Sequence, residues 1–538
     1  MEKIVSLCKR RGFIYPSSEI YGGINGFWDY GPLGAELKRN VKELWWNTMT
    51  RQRDDVVGLE ATIIMSPQIW KASGHVDTFS DPMIDCKTCK GRFRADQTND
   101  IPCPQKPSKM VSECHGEKTP PRAFNLMFQT YVGPVQEASA IAYLRPETAQ
   151  AIFAQFKNVL ETSRQKVPFG IAQVGKAFRN EVTPRNYTFR SREFEQMELE
   201  FFIKPDEAVE AIAGRVGTAA EAFGVPPSGG SGTPNPQPDW GWEAWHKYWV
   251  EMRIAFYEGI GLPRNTLVEY WQKPEELAHY AQATVDILYK FPFSKRDEMG
   301  ELTGEELEGI AARSDFDLSQ HERFSGKPMG VFDEELRAAW SKLPKEKQDQ
   351  LWRRYYENRK KYLVKTGVAE EPASKAATEN ANGLAKGQYI PHVIEPSAGV
   401  DRLILALICN AYHEDQMPDD KGKMETRVVL KFHPRVAPIK VAVLPLLRNK
   451  PELVKKAQDV RNLLRPHLNV FYDDAGAIGR RYRRQDEAGT PFCVTIDFDT
   501  LGEKPELKDT VTVRYRDNGK QERLAIGDIL NWLLPKIR

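Results

Sequence analysis

No stretch of this chain approaches the ~18 consecutive apolar residues that a membrane-spanning helix needs. The opening segment MEKIVSLCKRRGF has no apolar run of signal-peptide length. A cytoplasmic protein with no membrane partner is the expectation. Cysteine is scarce and odd in number: Cys8, Cys86, Cys89, Cys103, Cys114, Cys409 and Cys493 are the only seven in 538 residues, which argues against a disulfide scaffold. Net charge is nearly absent, with 76 basic residues against 74 acidic ones. A surface that wraps nucleic acid throughout is far more basic, so any RNA contact must use local patches. Repeats at solenoid periods are missing too.

What is there is an ordinary soluble balance, 41% hydrophobic and 28% charged, in a chain too long for one core. Three stretches read as seams. Pro226–Asp239 (PPSGGSGTPNPQPD) is too rich in Pro, Gly and Ser to pack and reads as a flexible loop. Gly367–Lys386, polar and Ala-rich, also reads as a loop. His433–Pro438 precedes a change of pattern. Between the first two seams, Trp249–Phe256 and Glu334–Tyr362 carry charged and aromatic residues at helical spacing. After Pro438 the pattern alternates. Ile439–Leu444, Leu468–Tyr472 and Pro491–Asp497 read as strands, Pro451–Leu464, Ala477–Ala488 and Asp528–Leu534 as helices, and Thr510–Leu524 as a hairpin turning at Asp517-Asn518-Gly519. About 100 residues of this kind make a compact α/β domain.

Three segments carry chemistry. In Gln173–Phe202 a strand runs through Arg179, a polar loop follows, and alternation resumes from Phe189. Arg179, Arg185, Arg190 and Arg192 suit phosphate oxygens because a guanidinium donates in a planar fork. Glu181 can accept from an exocyclic amine of a base, and Phe194 can stack on it. A single arginine here more often belongs to a solvated hairpin; the same short unit supplying Glu and Phe shifts the balance. In Pro391–Leu407 an apolar strand ends at Glu395, small residues Ser397, Ala398 and Gly399 follow, and a helix opens with Arg402 in its first turn. A cation at a helix N-terminus is unfavourable unless a polyanion sits there too. In Trp28–Trp46 a Gly31-Pro32-Leu33-Gly34 turn leads into an amphipathic helix, either core or a dimer contact.

Together these segments resemble the three signature motifs of class II aminoacyl-tRNA synthetases. RRGFIYPSSEIYGG (Arg10–Gly23), YGPLG, LRPETAQ (Leu144–Gln150), FRNEVTPRN (Phe178–Asn186), FRSREFEQMELEFF, IEPSAGVDR (Ile394–Arg402) and YRRQDEAGTPFCVTID (Tyr482–Asp497) are similar to the dimeric, single-chain glycyl-tRNA synthetase family. The resemblance is weakest in Ser228–Trp240 and Leu336–Lys386. It implies an α+β catalytic domain over 1–437, an antiparallel sheet flanked by helices, with insertions at about 80–125, 206–300 and 318–387. Residues 438–538 would form an α/β anticodon-binding domain.

The implied activity is ATP-dependent attachment of glycine to tRNA through a glycyl-adenylate. The implied ATP-binding residues are Arg179, Asn180, Glu181, Phe189, Arg190, Ser191, Arg192, Glu193, Phe194, Glu306, Leu307, Gly399, Val400, Asp401 and Arg402. Among these, Arg179 would hold the α-phosphate, Arg402 the γ-phosphate, Glu181 the adenine amine, and Phe194 the adenine ring. Glu301-Leu302 is an alternative match for Glu306-Leu307. Arg179, Arg402 and Glu306 are the implied catalytic residues. The implied glycine pocket comprises Arg94, Glu147, Phe194, Glu195, Gln196, Met197, Glu198, Glu395, Pro396, Ser397, Ala398 and Gly399. Glu306 and Glu395 are candidate ligands for Mg²⁺ arriving with ATP, since hard carboxylate oxygens suit it. Filled space can reject larger amino acids, so no editing domain is required.

Cys86, Cys89, Cys103 and Cys114 could make a tetrahedral zinc knuckle. The second CxxC is missing, because Cys103-Pro104-Gln105-Lys106 breaks it, and this departs from the family's CPxCG-like element. Structural zinc and reduced free thiols both stay open. Gly479–Arg484 (GRRYRR) is a basic helix start that could touch tRNA phosphates or simply be a solvated face. The resemblance also implies a homodimer, with Trp45 and Trp46 as contact residues. The alternatives are a synthetase for threonine, proline or histidine, which an amino-acid panel separates, and a synthetase-like accessory protein, which would lack Arg179 and Arg402.

Overall fold

A computed structural model describes residues 1–223, 234–278, 280–418 and 424–537. Residues 226–233 of the Pro226–Asp239 stretch lie outside the described residues. Helix α1 (Pro32–Trp46) starts with Pro in its first turn, where a missing N–H costs nothing. Leu37, Val41 and Trp45, four residues apart, bury one face of it. Strand β1 (Val56–Gly58) and the short helix α2 (His75–Thr78) follow. A small sheet then forms from β2 (Ser80–Asp85), β3 (Arg92–Arg94) and β4 (Arg122–Asn125), in the order β3-β2-β4. Next come α3 (Ala149–Ser163), β5 (Phe169–Phe178), β6 (Glu193–Ile203), α4 (Trp242–Gly259), β7 (Leu267–Trp271), β8 (Ala283–Tyr289) and β9 (Glu305–Ser314). A helical layer, α5 (Phe316–Ser325), α6 (Glu334–Lys342), α7 (Lys345–Lys365) and α8 (Glu370–Leu384), precedes β10 (His392–Gly399) and α9 (Val400–Ala411).

The main sheet has seven strands in the order β7-β8-β9-β10-β6-β5-β1, antiparallel except for the parallel β5–β1 edge. Period-two alternation splits β6 between two environments. Met197, Leu199 and Phe201 join α1, α4 and α9 in the largest core, while Gln196 and Glu198 point to the other face. A second core, built by α3, the start of β5, Phe202 and the helical layer, covers part of that other face. The uncovered remainder is a cavity over the middle of the sheet.

Four expectations need correction. Residues 206–300 are not an insertion as a block: β7 and β8 are strands of the main sheet, and Trp245, Trp249 and Ile254 of α4 belong to its core. Gly367–Lys386 is not a loop. Its Ala373, Ala377, Ala381 and Leu384 form a buried stripe of small side chains on α8, which lets α8 lie close against α7. The strand ending expected at Glu395 continues through Pro396 to Gly399, and β6 begins at Glu193 rather than Phe189 because Asn186 and Tyr187 turn with positive φ. Trp45 is a core residue, 1% exposed, and unavailable to a partner; Trp46 is half-buried and its ring fills the space beside Gly58.

The last part holds β11 (Val441–Pro445), α10 (Pro451–Leu464), β12 (Val470–Tyr472), α11 (Ile478–Ala488), β13 (Phe492–Ile496), β14 (Thr510–Tyr515), β15 (Gln521–Ala525) and α12 (Ile529–Ile537). The sheet order is β12-β11-β13-β14-β15, parallel across its first three strands and antiparallel after them. Each of these elements falls within two or three residues of its expected place, and Gly519 takes the positive φ of the hairpin turn.

Candidate functional site

The cavity over the sheet measures about 410 Å³. Its floor is set by register: Glu198 of β6 lies opposite Ser397 of β10, and Glu395 lies opposite Ala311 of β9. Arg179, Glu181, Phe189, Arg190, Ser191 and Phe194 line one end, joined by Glu306, Gly399, Asp401 and Arg402. Glu147, Gln196, Glu198, Glu395 and Ser397 line the other. Segments as distant as residues 147 and 402 thus meet in one space.

The first end is cationic. Arg402 donates from Nε to the Phe189 carbonyl at 3.3 Å and from Nη1 to the Glu306 carbonyl at 3.0 Å, with Glu306 Oε2 at 3.1 Å. Its guanidinium lies 4.6 Å from the Phe189 ring centroid. Arg179 is held by the Pro146 carbonyl at 3.0 Å and sits 5.4 Å from the Phe194 ring. Arg190 pairs with Glu181 Oε2 at 3.2 Å. Burial lowers the Arg190 guanidinium; Glu181 opposes this, and Arg94, Arg185 and Arg402 add to it. Arginines crowded closely enough to lower one another make a site for a polyanion, even with Glu181 and Glu306 paired among them. Arg402 holds the half-exposed Glu306 carboxyl below its usual range.

The second end is acidic and buried. Glu198 accepts from Ser397 Oγ at 2.8 Å and from Thr148 Oγ1. Ligand oxygens of Glu198, Glu200 and Glu395 lie within 4.8 Å of one another. Arg313 answers them: its Nη1 donates to Glu395 at 2.7 Å and its Nε to Asp317 at 2.8 Å. Burial pushes the Glu395 carboxyl up to about 8, with Arg313 opposing and Glu198 reinforcing. Burial also raises Glu198, and the Glu147 charge adds to it. Glu147 goes the other way: burial raises it, but His75, Arg313 and Arg179 outweigh burial and hold it well below the carboxylate range. Such a pocket favours a small cation flanked by carboxylates.

Other sequence-expected residues do not present side chains here. Met197, Leu307, Ala398 and Val400 turn into the core, so only their backbone can approach a ligand. Glu193 pairs with Lys176, and Glu195 faces α1, where Lys38 and Lys42 meet it at 2.8 and 2.9 Å. Arg192 is spent on the Glu181 and Asn25 carbonyls. Asn180 and Pro396 do not line the cavity, and Arg94 is tied to Asp81 and Asp96 at 3.0 and 2.7 Å. Glu306, not Glu301, is the cavity residue, since Glu301 sits in the turn before β9. Ala311, opposite Glu395, is five residues along β9 from Glu306, about 16 Å of strand. One ion therefore cannot be held directly by Glu306 and Glu395 together, and Glu395 is answered by Arg313 instead.

The sequence reading missed Gln272, Tyr280, Thr284, Asp286 and Arg313, which line the cavity from β8, β9 and the loop between β7 and β8. Asp286, pushed up to about 6 by burial, faces Glu306 and accepts from Gln272 Nε2 at 2.8 Å. A signal for Arg313 existed: it ends the buried run Ile310-Ala311-Ala312, where an arginine is costly unless paired.

Cys86 lies in side-chain contact with Cys89 and Cys114, and Cys103 with Cys114. Backbone N–H groups of Cys89 and Thr88 lower the Cys86 thiol; those of Gln105 and Lys106 do the same for Cys103. Two turns thus aim N–H groups at a cysteine sulfur each, although the second lacks its own second cysteine. In GRRYRR, Arg481 is buried on the Pro445 and Leu446 carbonyls and Arg484 pairs with Asp473. Arg480 is exposed and Arg483 partly so, which narrows the patch to these two.

Comparison with known proteins follows the same division. Residues 134–225 match the tRNA synthetase class II core domain (G, H, P, S and T), and residues 440–536 match the anticodon binding domain. A glycine–tRNA ligase of Thermobifida fusca (strain YX) is 44% identical, covering all of this chain and 98% of its own length. Ligases of the same description from Treponema denticola and Thermus thermophilus are 42% and 41% identical, again over all of this chain and 97% and 99% of theirs.

Proposed function

The chain belongs to the glycine–tRNA ligase family, and on that footing we propose that it activates glycine with ATP and transfers it to tRNA. The observation that carries this reading is the two-ended cavity, cationic at Arg179, Arg190 and Arg402 and acidic at Glu147, Glu198 and Glu395. ATP lies with its adenine against Phe194 and Glu181, its α-phosphate at Arg179 and its γ-phosphate at Arg402. The glycine ammonium enters the carboxylate end, and Ser397 and Thr148 keep Glu198 aimed. The glycine carboxylate oxygen attacks the α-phosphorus, the bond to the bridging oxygen breaks, and pyrophosphate leaves. A terminal tRNA ribose hydroxyl then attacks the adenylate carbonyl, and AMP leaves. No covalent enzyme intermediate is needed, so the residues act by positioning and charge neutralisation. Mg²⁺ bound with ATP supplies further neutralisation of phosphate charge, and Glu306 is the residue suited to hold it.

ATP–pyrophosphate exchange with each common amino acid tests the reading. Exchange is expected with glycine alone, and Arg402→Ala should lower it roughly 10²–10³-fold, as for a lost transition-state donor. Exchange with another amino acid would overturn the pocket assignment.

Residues 1–437 act as the catalytic domain and 438–538 as the anticodon-binding domain, working in the cytoplasm. Cys86, Cys89, Cys103 and Cys114 hold a structural zinc, for which the contacts of Cys86 with Cys89 and Cys114 and of Cys103 with Cys114 are the support. A second copy docks on the groove along α1, lined by Lys38, Arg39 and the half-buried Trp46. Native mass spectrometry reads both: a dimer with one zinc per chain is expected, and a metal-free monomer would refute both.

A further inference from the structure

His75 touches the acidic end of the cavity from outside its lining. Its Nε2 lies 3.3 Å from Glu147 Oε2. The ring is not free to wander. Ser73 Oγ lies 2.8 Å from Nδ1, and Trp70 and Phe79 present their rings edge-on at 5.6 and 5.2 Å. Nε2 is the ring nitrogen that faces Glu147, so a proton there is donated to the carboxylate, while Ser73 Oγ pairs with Nδ1 and also donates to the Trp70 carbonyl at 3.4 Å. The main chain of α2 is pinned as well. Asn125, the last residue of β4, donates to the His75 and Val76 carbonyls at 3.3 and 3.0 Å, and the Leu126 N–H donates to the Phe79 carbonyl. The small sheet β3-β2-β4 thus fixes where this imidazole stands.

Glu147 is held from the opposite side too. Its Oε1 accepts from Gln150 Nε2 at 3.1 Å. Gln150 in turn meets Asp317 at 2.9 Å and His321 at 3.0 Å, and Asp317 is bound by Arg313. Each Glu147 oxygen has one fixed donor and keeps further acceptor capacity for a ligand. A carboxylate pinned at both oxygens can receive an ammonium without reorganising first.

We propose that His75 is a positioning residue for amino-acid recognition, holding Glu147 Oε2 so that the carboxylate meets the substrate ammonium in one orientation. This rests on the reading of the cavity given above. The competing view is a histidine that merely packs between Trp70 and Phe79. Packing alone affects folding and both substrates; positioning through Glu147 affects glycine alone and vanishes when Glu147 carries no charge.

The test is a double-mutant cycle in glycine-dependent ATP–pyrophosphate exchange, with His75→Ala, His75→Gln and Glu147→Gln. His75→Ala should raise KM for glycine about tenfold or more, the size of a lost hydrogen bond to a charged group, with KM for ATP unchanged. His75→Gln, whose amide can still donate, should recover most of that loss. In the Glu147→Gln background, neither His75 variant should add a further loss. An equal loss in both backgrounds, an unaltered glycine KM in His75→Ala, or a matching rise in KM for ATP would each overturn the proposal. If His75→Ala fails to fold, as judged by its melting temperature, the His75→Gln and Glu147→Gln pair still decides: retention of glycine KM supports positioning, and a loss repeated in both backgrounds refutes it. Wild-type protein without glycine exchange would instead overturn the underlying reading.

Discussion

Glu395 shows how far a single residue's chemistry is set by its surroundings. It is 8% exposed, beside two other carboxylates and one arginine. Burial raises its carboxyl from the ordinary 4.5 to about 8, so the fold favours its protonated form. The stabilisation from that protonation is full below pH 4.5 and is lost as pH rises through 8. Glu395→Gln fixes the neutral form. Its melting temperature relative to wild type should therefore improve steadily between pH 5 and 8.5; an offset independent of pH would show that Glu395 is already ionised. The sequence marked this residue as important but gave it the wrong neighbour, because its partner Arg313 comes from an adjacent strand. Motif residues such as Arg179, Glu181 and Arg402 were readable because each motif is a continuous piece of chain. Arg313, Asp286 and His75 were not, because register and the docking of α2 bring them in.

At the scale of elements, alternation and helical spacing located most of the units, and the errors have physical causes. The segment around α8 was read as a loop because alanine gives no apolar periodicity strong enough to stand out. In the structure those alanines are what α7 packs against, and polar pairs lock the two helices antiparallel: Trp352 with Asn382, and Arg359 with Asn380, at 3.0 and 2.9 Å. Ala377 is fully buried. Ala377→Leu should overpack this seam and cost about 1–3 kcal/mol, seen as a lower urea midpoint in far-ultraviolet circular dichroism. A midpoint equal to wild type would mean that the two helices separate readily. Strands β7 and β8 were hidden differently: nothing local says that a strand belongs to a distant sheet rather than to an insertion.

For the whole molecule, the near-zero net charge hides strong local pairing between the two sheets' territories. Asp486 of α11 is fully buried and accepts from Arg427 Nη1 at 3.2 Å and from Arg514 at 2.9 and 3.1 Å. Arg427 also binds Asp415, while Arg516 reaches back to the Phe432 carbonyl at 2.8 Å. Removing one acceptor from such a set strands buried guanidinium groups. Asp486→Ala should cost about 3–5 kcal/mol, and calorimetry should show melting well below wild type. An unchanged transition would mean that water enters and solvates both arginines. Sequence placed the boundary near Pro438 from its proline and the change of pattern, but this contact between the parts left no sequence trace.

Asp401 carries a further consequence. One carboxylate there accepts from the Tyr30 hydroxyl at 2.6 Å, from Lys38 of α1 at 2.8 Å and from the Glu195 N–H at 2.7 Å, next to Arg402. A single acceptor shared among three elements makes them one thermodynamic unit. With nucleotide placed at Arg402 as proposed above, a ligand along α1 that shifts that carboxylate changes the affinity for nucleotide, and by linkage nucleotide changes the affinity along α1 by the same factor.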